Sequence, residues 1–409
     1  MQFQHATLAN GLEIVAEINP RALSTAVAFF VRTGARDESP DVSGVSHFLE
    51  HMAFKGNAQF SADDVNRIFD EVGARYNAST GEEFTLYYAA ILPEYLDRMF
   101  VLLAALLEPS LRQSDFDTEK QVILEEIGMY DDLPAFLAQE RAMRVHFGTH
   151  PLGQSILGST ASVTALSAEQ MRGYHRQHYR AGNMTLVAAG NVDWDRLLAL
   201  AGQSCGRWPV GAPQRDTRPA PFVGGREFVP RPHGQQQHVS QLAPAPAAED
   251  PLRFAAELLA VVVGDESSSR LYWELVDPGH VEAADFSYHE FQGTGTWMTY
   301  FCCRPGETAH NQERIAAVFA DVNRGAVTPE ELALAKCKVA SRIVLQGELP
   351  MGRLSSLGGN WLYRREYRSV EDDLATIDSI ETSDIRQLLD VYPLADTTTV
   401  GVGPLTASA

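Results

Sequence analysis

The chain is expected to fold as an α+β protein of two related α/β halves, each a mixed sheet with helices, joined by a linker. Three observations carry this. Strand-like and helix-like stretches alternate along the whole length. Residues 209–234 (PVGAPQRDTRPAPFVGGREFVPRPHG) have the proline- and glycine-rich composition of a linker and divide the chain almost in two. The second half then repeats the order of the first: HVSQLAPAPAAEDPLRFAAELLAVVVG reads as strand, polar loop and helix, as do STAVAFF, RTGARDESPDVSG and HFLEHMAF before it. Internal duplication explains this most economically. The expected domains are 1–208 and 235–409, with the linker at 209–234.

The elements follow in order. MQFQHATLANGLEIVAE alternates apolar and polar residues about Asn10-Gly11, as a β-hairpin does. Strands are expected at 13–17 and 25–31, a short helix over 45–55 closed by Gly56, and a helix at 62–72. Extended segments follow at 74–80 and 83–92, the latter rich in Tyr, Phe and Thr. Long helices are expected at about 93–108 and 114–146, then a helix at 167–179, a core strand at 184–189 and a helix at 193–204. The second half predicts a helix at 253–263, extended segments at 284–291 and 296–303, and helices near 307–323 and from Thr328 onward. It closes with a helix at 382–391 and a strand at 397–402.

At 409 residues the chain is long enough for two or three domains. Its formal charge of −20 makes nucleic acid and anionic membranes poor partners, since both select a basic face. Four scattered cysteines form neither a disulfide framework nor a Cys-x-x-Cys metal site, so a reducing compartment is the simpler reading. There is no signal-peptide pattern at the N-terminus and no apolar run of the ~20 residues that span a bilayer. The expected location is cytoplasmic, or periplasmic if a leader has been removed.

The chemistry concentrates in His47-Phe48-Leu49-Glu50-His51. On a helix, residues four apart share a face, so His47 and His51 can aim two imidazoles at one centre, a pairing that suits zinc. Glu50 sits on the flank of that face, where it can reach a water without displacing either ring. His-x-x-Glu-His is the inverzincin motif, although alone it is also compatible with an amphipathic helix carrying two incidental histidines. A catalytic zinc needs a third ligand from a neighbouring element. The run 114–146 has a carboxylate face with Glu119, Glu126 and Asp132, and Glu119 and Glu126 lie about two turns apart. The pairs His146/His150 and His175/His178 are poor second sites: Gly148 and Pro151 end the first helix, and no carboxylate lies between the second pair.

HFLEHMAFKG followed by EKQVILEEIGMYDD resembles the M16 family of zinc metallopeptidases, which includes pitrilysin, insulin-degrading enzyme and the mitochondrial processing peptidase, and the resemblance spans nearly the full length. It implies a fold of duplicated mixed-sheet halves and a zinc endopeptidase with one Zn2+ per chain. Glu126, 75 residues after His51, would complete the ligand set of His47 and His51. Glu119, seven positions earlier, would support it, and Glu50 would be the general base. NAST at 77–80 resembles the family's Asn-Ala-x-Thr edge strand, so Asn77 and Ala78 are expected to pair with a peptide substrate through backbone hydrogen bonds.

One departure stands out. Single-unit members and the C-terminal partners of this family carry an arginine and, seven positions on, a tyrosine after a Ser-Ser-Arg-Leu motif, and the pair holds the substrate and the oxyanion. Here SSSRLYWELVDPGHVEAADF (267–286) places Val276 and Ala283 at those positions. Either the alignment slips and Tyr288 substitutes, or the chain works without the pair, or a partner supplies it. A partner subunit with the Arg/Tyr pair is the expectation, with a homodimer as the alternative. The competing function is a non-catalytic structural or peptide-binding subunit of such a complex.

Overall fold

The computed structural model describes residues 1–220, 223–395 and 397–406. The first half begins with β1 (Gln2–Thr7), β2 (Glu13–Ile18), β3 (Thr25–Val31), α1 (Val45–Ala53) and α2 (Ala62–Glu71). It continues through β4 (Arg75–Thr80), β5 (Thr85–Ile91), α3 (Leu96–Leu106), α4 (Gln113–Asp131) and α5 (Pro134–Phe147). Then come α6 (Thr160–Ala165), α7 (Ala168–His178), β6 (Met184–Gly190) and α8 (Trp194–Cys205). The second half holds β7 (Gly225–Pro230), β8 (Gln237–Ala245), α9 (Arg253–Gly264), β9 (Ala283–Phe291), β10 (Thr294–Cys303) and α10 (Thr308–Asn323). It ends with α11 (Pro329–Gly347), α12 (Pro350–Arg364), α13 (Val370–Ser379), α14 (Thr382–Val391) and β11 (Thr398–Gly403).

Two mixed sheets result. The first has the order β1-β2-β6-β3-β5-β4, and the second β7-β11-β8-β10-β9. Leaving out β1, the two match strand for strand. In each, the first and last strands of the half pair in parallel (β2 with β6, β7 with β11), and every other neighbour is antiparallel. The duplication read from the sequence is therefore present in the strand topology itself.

The chain packs as two compact units, and two helices cross the linear division. One unit holds Met1–Ile127, Gln154–Asp216 and Leu345–Arg368; the other holds Gly128–Gly153, Thr217–Val344 and the chain from Ser369. In the first unit α12 covers one face of the sheet. Leu354, Leu357 and Trp361 pack on Ala26, Ala28, Phe30, Val187 and Ala189. Gly358 lets the helix approach, since a Cβ there would stand 2.3 Å from the Phe30 ring. Arg353 of this helix donates to both carboxylate oxygens of buried Glu17 on β2, at 2.8 and 2.6 Å. In the second unit α5 plays the equivalent part, with Leu137, Ala138 and Ala142 against Leu242, Val400 and Val402. Its His146 Nδ1 lies 3.0 Å from Thr398 Oγ1 on β11.

Two expectations are corrected. The run 114–146 is two helices, because Pro134 lacks an N–H and its ring would clash with a helical carbonyl before it; Leu133 is extended, and α5 starts afresh. Asp132 falls in the break. The stretch 209–234 is not wholly linker: its end forms β7, in parallel register with β11 from Gly225↔Thr398 to Pro230↔Gly403. Proline is tolerated there because β7 is the last strand of the sheet.

Candidate metal centre

The site is assembled within the first unit from α1, α4 and β4. Gly44 precedes α1 with φ +91°, and a Cβ there would meet the Leu157 carbonyl oxygen at 2.6 Å, so only glycine fits this entry. The four N–H groups that open a helix lack intrahelical partners, and a buried carboxylate serves two near this end. Glu38 accepts from the Gly44 and Ser46 N–H groups, each at 2.7 Å, one with each oxygen. Burial pushes the Glu38 carboxyl up to about 8, against the pull of those two N–H groups. Below it, Tyr174 OH lies 2.9 Å from Ser46 Oγ and 2.7 Å from Thr33 Oγ1. The apolar side of α1 buries Val45, Phe48, Leu49 and Met52, and Phe48 stacks on Phe116 of α4 with ring centres 4.8 Å apart.

That stack places α4 beside α1. Phe116, Glu119, Ile123 and Ile127 are the buried stripe of α4, so Glu119 lies among apolar neighbours on the face turned to the core. It is held there by a ring nitrogen and an ammonium: Glu119 Oε1 is 2.9 Å from His51 Nδ1, and Oε2 is 2.5 Å from Lys55 Nζ. Two turns on, Glu126 Oε2 lies 3.7 Å from His47 Nε2 and 3.5 Å from His51 Nε2. One donor atom from each of His47, His51 and Glu126 falls within 4.8 Å of the others, and this is the one such His/Cys/Asp/Glu cluster among the described residues.

The donor set suits a divalent transition ion. A tetrahedral ion with bonds of about 2.0–2.1 Å holds its donors roughly 3.4 Å apart, close to the two histidine–glutamate separations. These are too long for hydrogen bonds between the groups. Glu119 on His51 Nδ1 leaves Nε2 as the free donor. Burial, aided by the neighbouring His51, lowers His47 to about 4, which keeps its ring neutral as a ligand must be. For His51 burial acts downward, but the Glu119 bond and the charges of Glu126, Glu119 and Glu50 outweigh it and raise the ring.

Glu50 is on the flank of α1. Burial raises its carboxyl, with Glu126 adding to the effect and the Thr80 bond and His51 opposing it. Thr80 Oγ1, at the end of β4, donates to Glu50 Oε2 at 2.6 Å. Asn77 and Ala78 are not in this cluster but precede Thr80 on β4, Asn77 exposed and Ala78 buried, opposite Tyr88 and Tyr87 of β5. β4 is the last strand of its sheet. Sequence reasoning missed Glu38, Lys55, Tyr174 and Thr80. Only Thr80 left a signal, as the fourth residue of NAST. Glu125 is exposed, turned away from the centre, and the rejected histidines have other roles: His175 Nε2 meets the Leu107 carbonyl and His178 Nδ1 meets Thr33 Oγ1.

Comparison with known proteins bears on this geometry. Residues 13–160 match the family model described as Insulinase (Peptidase family M16), and residues 165–338 match Peptidase M16 inactive domain. An "uncharacterized zinc protease" of Mycobacterium tuberculosis is 33% identical over 93% of this chain and 89% of its own. The chain belongs to the M16 peptidase family. Its M16 fold is shared with a protease from Helicobacter pylori (TM-score 0.91, 21% identity, 98% of each chain). A peptidase M16 inactive domain from Pseudomonas fluorescens shares it too (TM-score 0.92, 18% identity, 100% of each chain). Among the described residues no helix is long and apolar enough to cross a membrane.

Proposed function

We propose that this M16 chain is a zinc-dependent endopeptidase whose ligands are His47, His51 and Glu126 and whose general base is Glu50. The observation that carries the reading is the convergence of those three donors beside a half-buried carboxylate with raised proton affinity. Zinc, when bound, polarises a scissile carbonyl and makes a water acidic. The chain's own residues do the rest. His47 and His51 present Nε2 atoms from one face of α1, and Glu119 keeps His51 in the right tautomer and orientation. Glu50 takes a proton from the attacking water and returns it to the leaving amine. A group with raised proton affinity can carry a proton between the two steps. Asn77 and Ala78, on the terminal strand β4, would pair with the peptide backbone, giving broad sequence preference.

The reading extends to a partner subunit. Val276 packs against the apolar core of the second unit, Ala283 opens β9, and neither side chain donates a hydrogen bond. Tyr288, the substitute the sequence allowed, gives its hydroxyl to the Pro246 carbonyl at 2.9 Å. Nothing at these positions supplies an oxyanion donor, whose loss costs roughly 10²–10³ in rate. A second M16-like subunit carrying the Arg/Tyr pair fills that need; the alternative is a homodimer that works without the pair. Titrating the chain with such a subunit while following cleavage tests this: turnover that saturates at one partner per chain supports it. Full turnover by the chain alone as a monomer contradicts it.

A further inference from the structure

We propose that Thr80 is a positioning residue for Glu50, tying the orientation of the base to the strand that receives the peptide. The proposal rests on the peptidase reading above and goes beyond it. Thr80 closes β4 opposite Thr85 of β5, so its Cα is fixed by the sheet rather than by a loop. Its hydroxyl reaches out of the sheet to Glu50 Oε2 at 2.6 Å, the length of a strong bond to a carboxylate. A strand position by itself has no need of that hydroxyl, since valine has the same shape and suits a strand at least as well.

The surroundings explain why a tether is needed. Glu50 is half-buried on a short helix. Near enough to feel its charge, the Tyr87 and Tyr179 hydroxyls lie 2.9 Å apart and bond to each other. Burial raises both phenols, and the charge of Glu50 reaches both. With Oε2 anchored by Thr80, Oε1 is left to exchange the proton. Without the tether the carboxylate is free to turn toward His51, which lies within reach of its charge. Because β4 also bears Asn77 and Ala78, a peptide paired to that strand and the base are referred to the same piece of backbone.

The test compares T80V, T80A and T80S with E50Q and the double variant E50Q/T80V. The assay uses the assembly that turns peptide over, whether the chain alone or with its partner subunit, and zinc content and melting temperature are read on the same samples. The expected result is a kcat lowered roughly 10- to 100-fold in T80V, the size of effect a misplaced catalytic group produces. KM stays within about twofold, zinc is retained, and T80S recovers most of the loss. In the E50Q background T80V adds nothing further, because two residues acting through one group are not additive. T80A carries the test if T80V does not fold. Wild-type kcat in T80V, equal losses in T80S and T80V, or a further loss in the double variant overturns the proposal. Undiminished turnover in E50Q overturns the peptidase reading instead.

Discussion

Helix α1 follows β3 and helix α9 follows β8, at the same step of two sheets with the same strand order, yet they are built from opposite materials. α9 buries Ala255, Ala256 and every residue from Leu258 to Gly264. α1 gives up part of its packing to His47, Glu50 and His51, and its interior then needs polar support. Glu38 serves its first N–H groups, Tyr174 meets Ser46, and Glu119 meets His51. The contrast continues on the helices that pack beside them. Counted back from Pro134 and Pro350, which open the next helices, Glu126 corresponds to Arg342 and Glu119 to Ala335. Arg342 pairs with Asp265, as does Lys338 at 2.7 Å. Duplication supplied one frame twice. In one copy the position beside the helix holds a carboxylate that converges with two histidines, and in the other an arginine in a structural ion pair.

The largest expected effect is on the chemistry of the first copy. E126A or H51A should lose both bound zinc and cleavage, whereas L259A in α9 should leave zinc untouched. Metal analysis after dialysis and a peptide-cleavage assay separate the two. The same L259A opens a cavity in a fully buried helix and should destabilise the protein by about 2–5 kcal/mol in urea denaturation.

A pH effect of similar size should come from the second unit. Burial lowers His146 to about 4, from an ordinary value of 6.5. The folded state therefore keeps the ring neutral while the unfolded chain protonates it. Stability is full above pH 6.5, is lost as pH falls toward 4, and changes little from this group below that. The difference is up to about 3 kcal/mol. H146Q should remove that part of the slope between pH 6.5 and 4 in paired denaturation curves. The smallest effect is expected from E119Q, which should weaken zinc binding about 10- to 100-fold by chelator competition without abolishing it.

The sequence disclosed the strands and the cluster of His47, His51 and Glu126 more readily than the packing. Period-two alternation announced the hairpin of β1 and β2, the expected bounds of β2 and β3 hold within a residue, and the repeat of strand, loop and helix anticipated the matched strand order. His47, His51 and Glu126 were legible because helix geometry fixes the first pair and a family spacing picks the third. The crossing of α5 and α12 was not legible. Leu137, Ala138 and Ala142 read as an apolar helix face, and nothing local says which sheet covers it. The break at Pro134 could have been seen, but a strong helical pattern on both sides concealed it. Glu38 escaped because a carboxylate in a polar loop reads as surface, and only the turn at Gly44 carries it under the helix.

The most direct test of the account is zinc content measured beside cleavage of a quenched fluorescent peptide library, for wild type and E50Q in the same assembly. About one zinc per chain is expected in both proteins, with chelator-sensitive cleavage in the wild type and loss of about 10²–10⁴ in E50Q. E50Q that cleaves as fast as wild type, or a wild-type chain that binds no zinc and cleaves regardless, would contradict it.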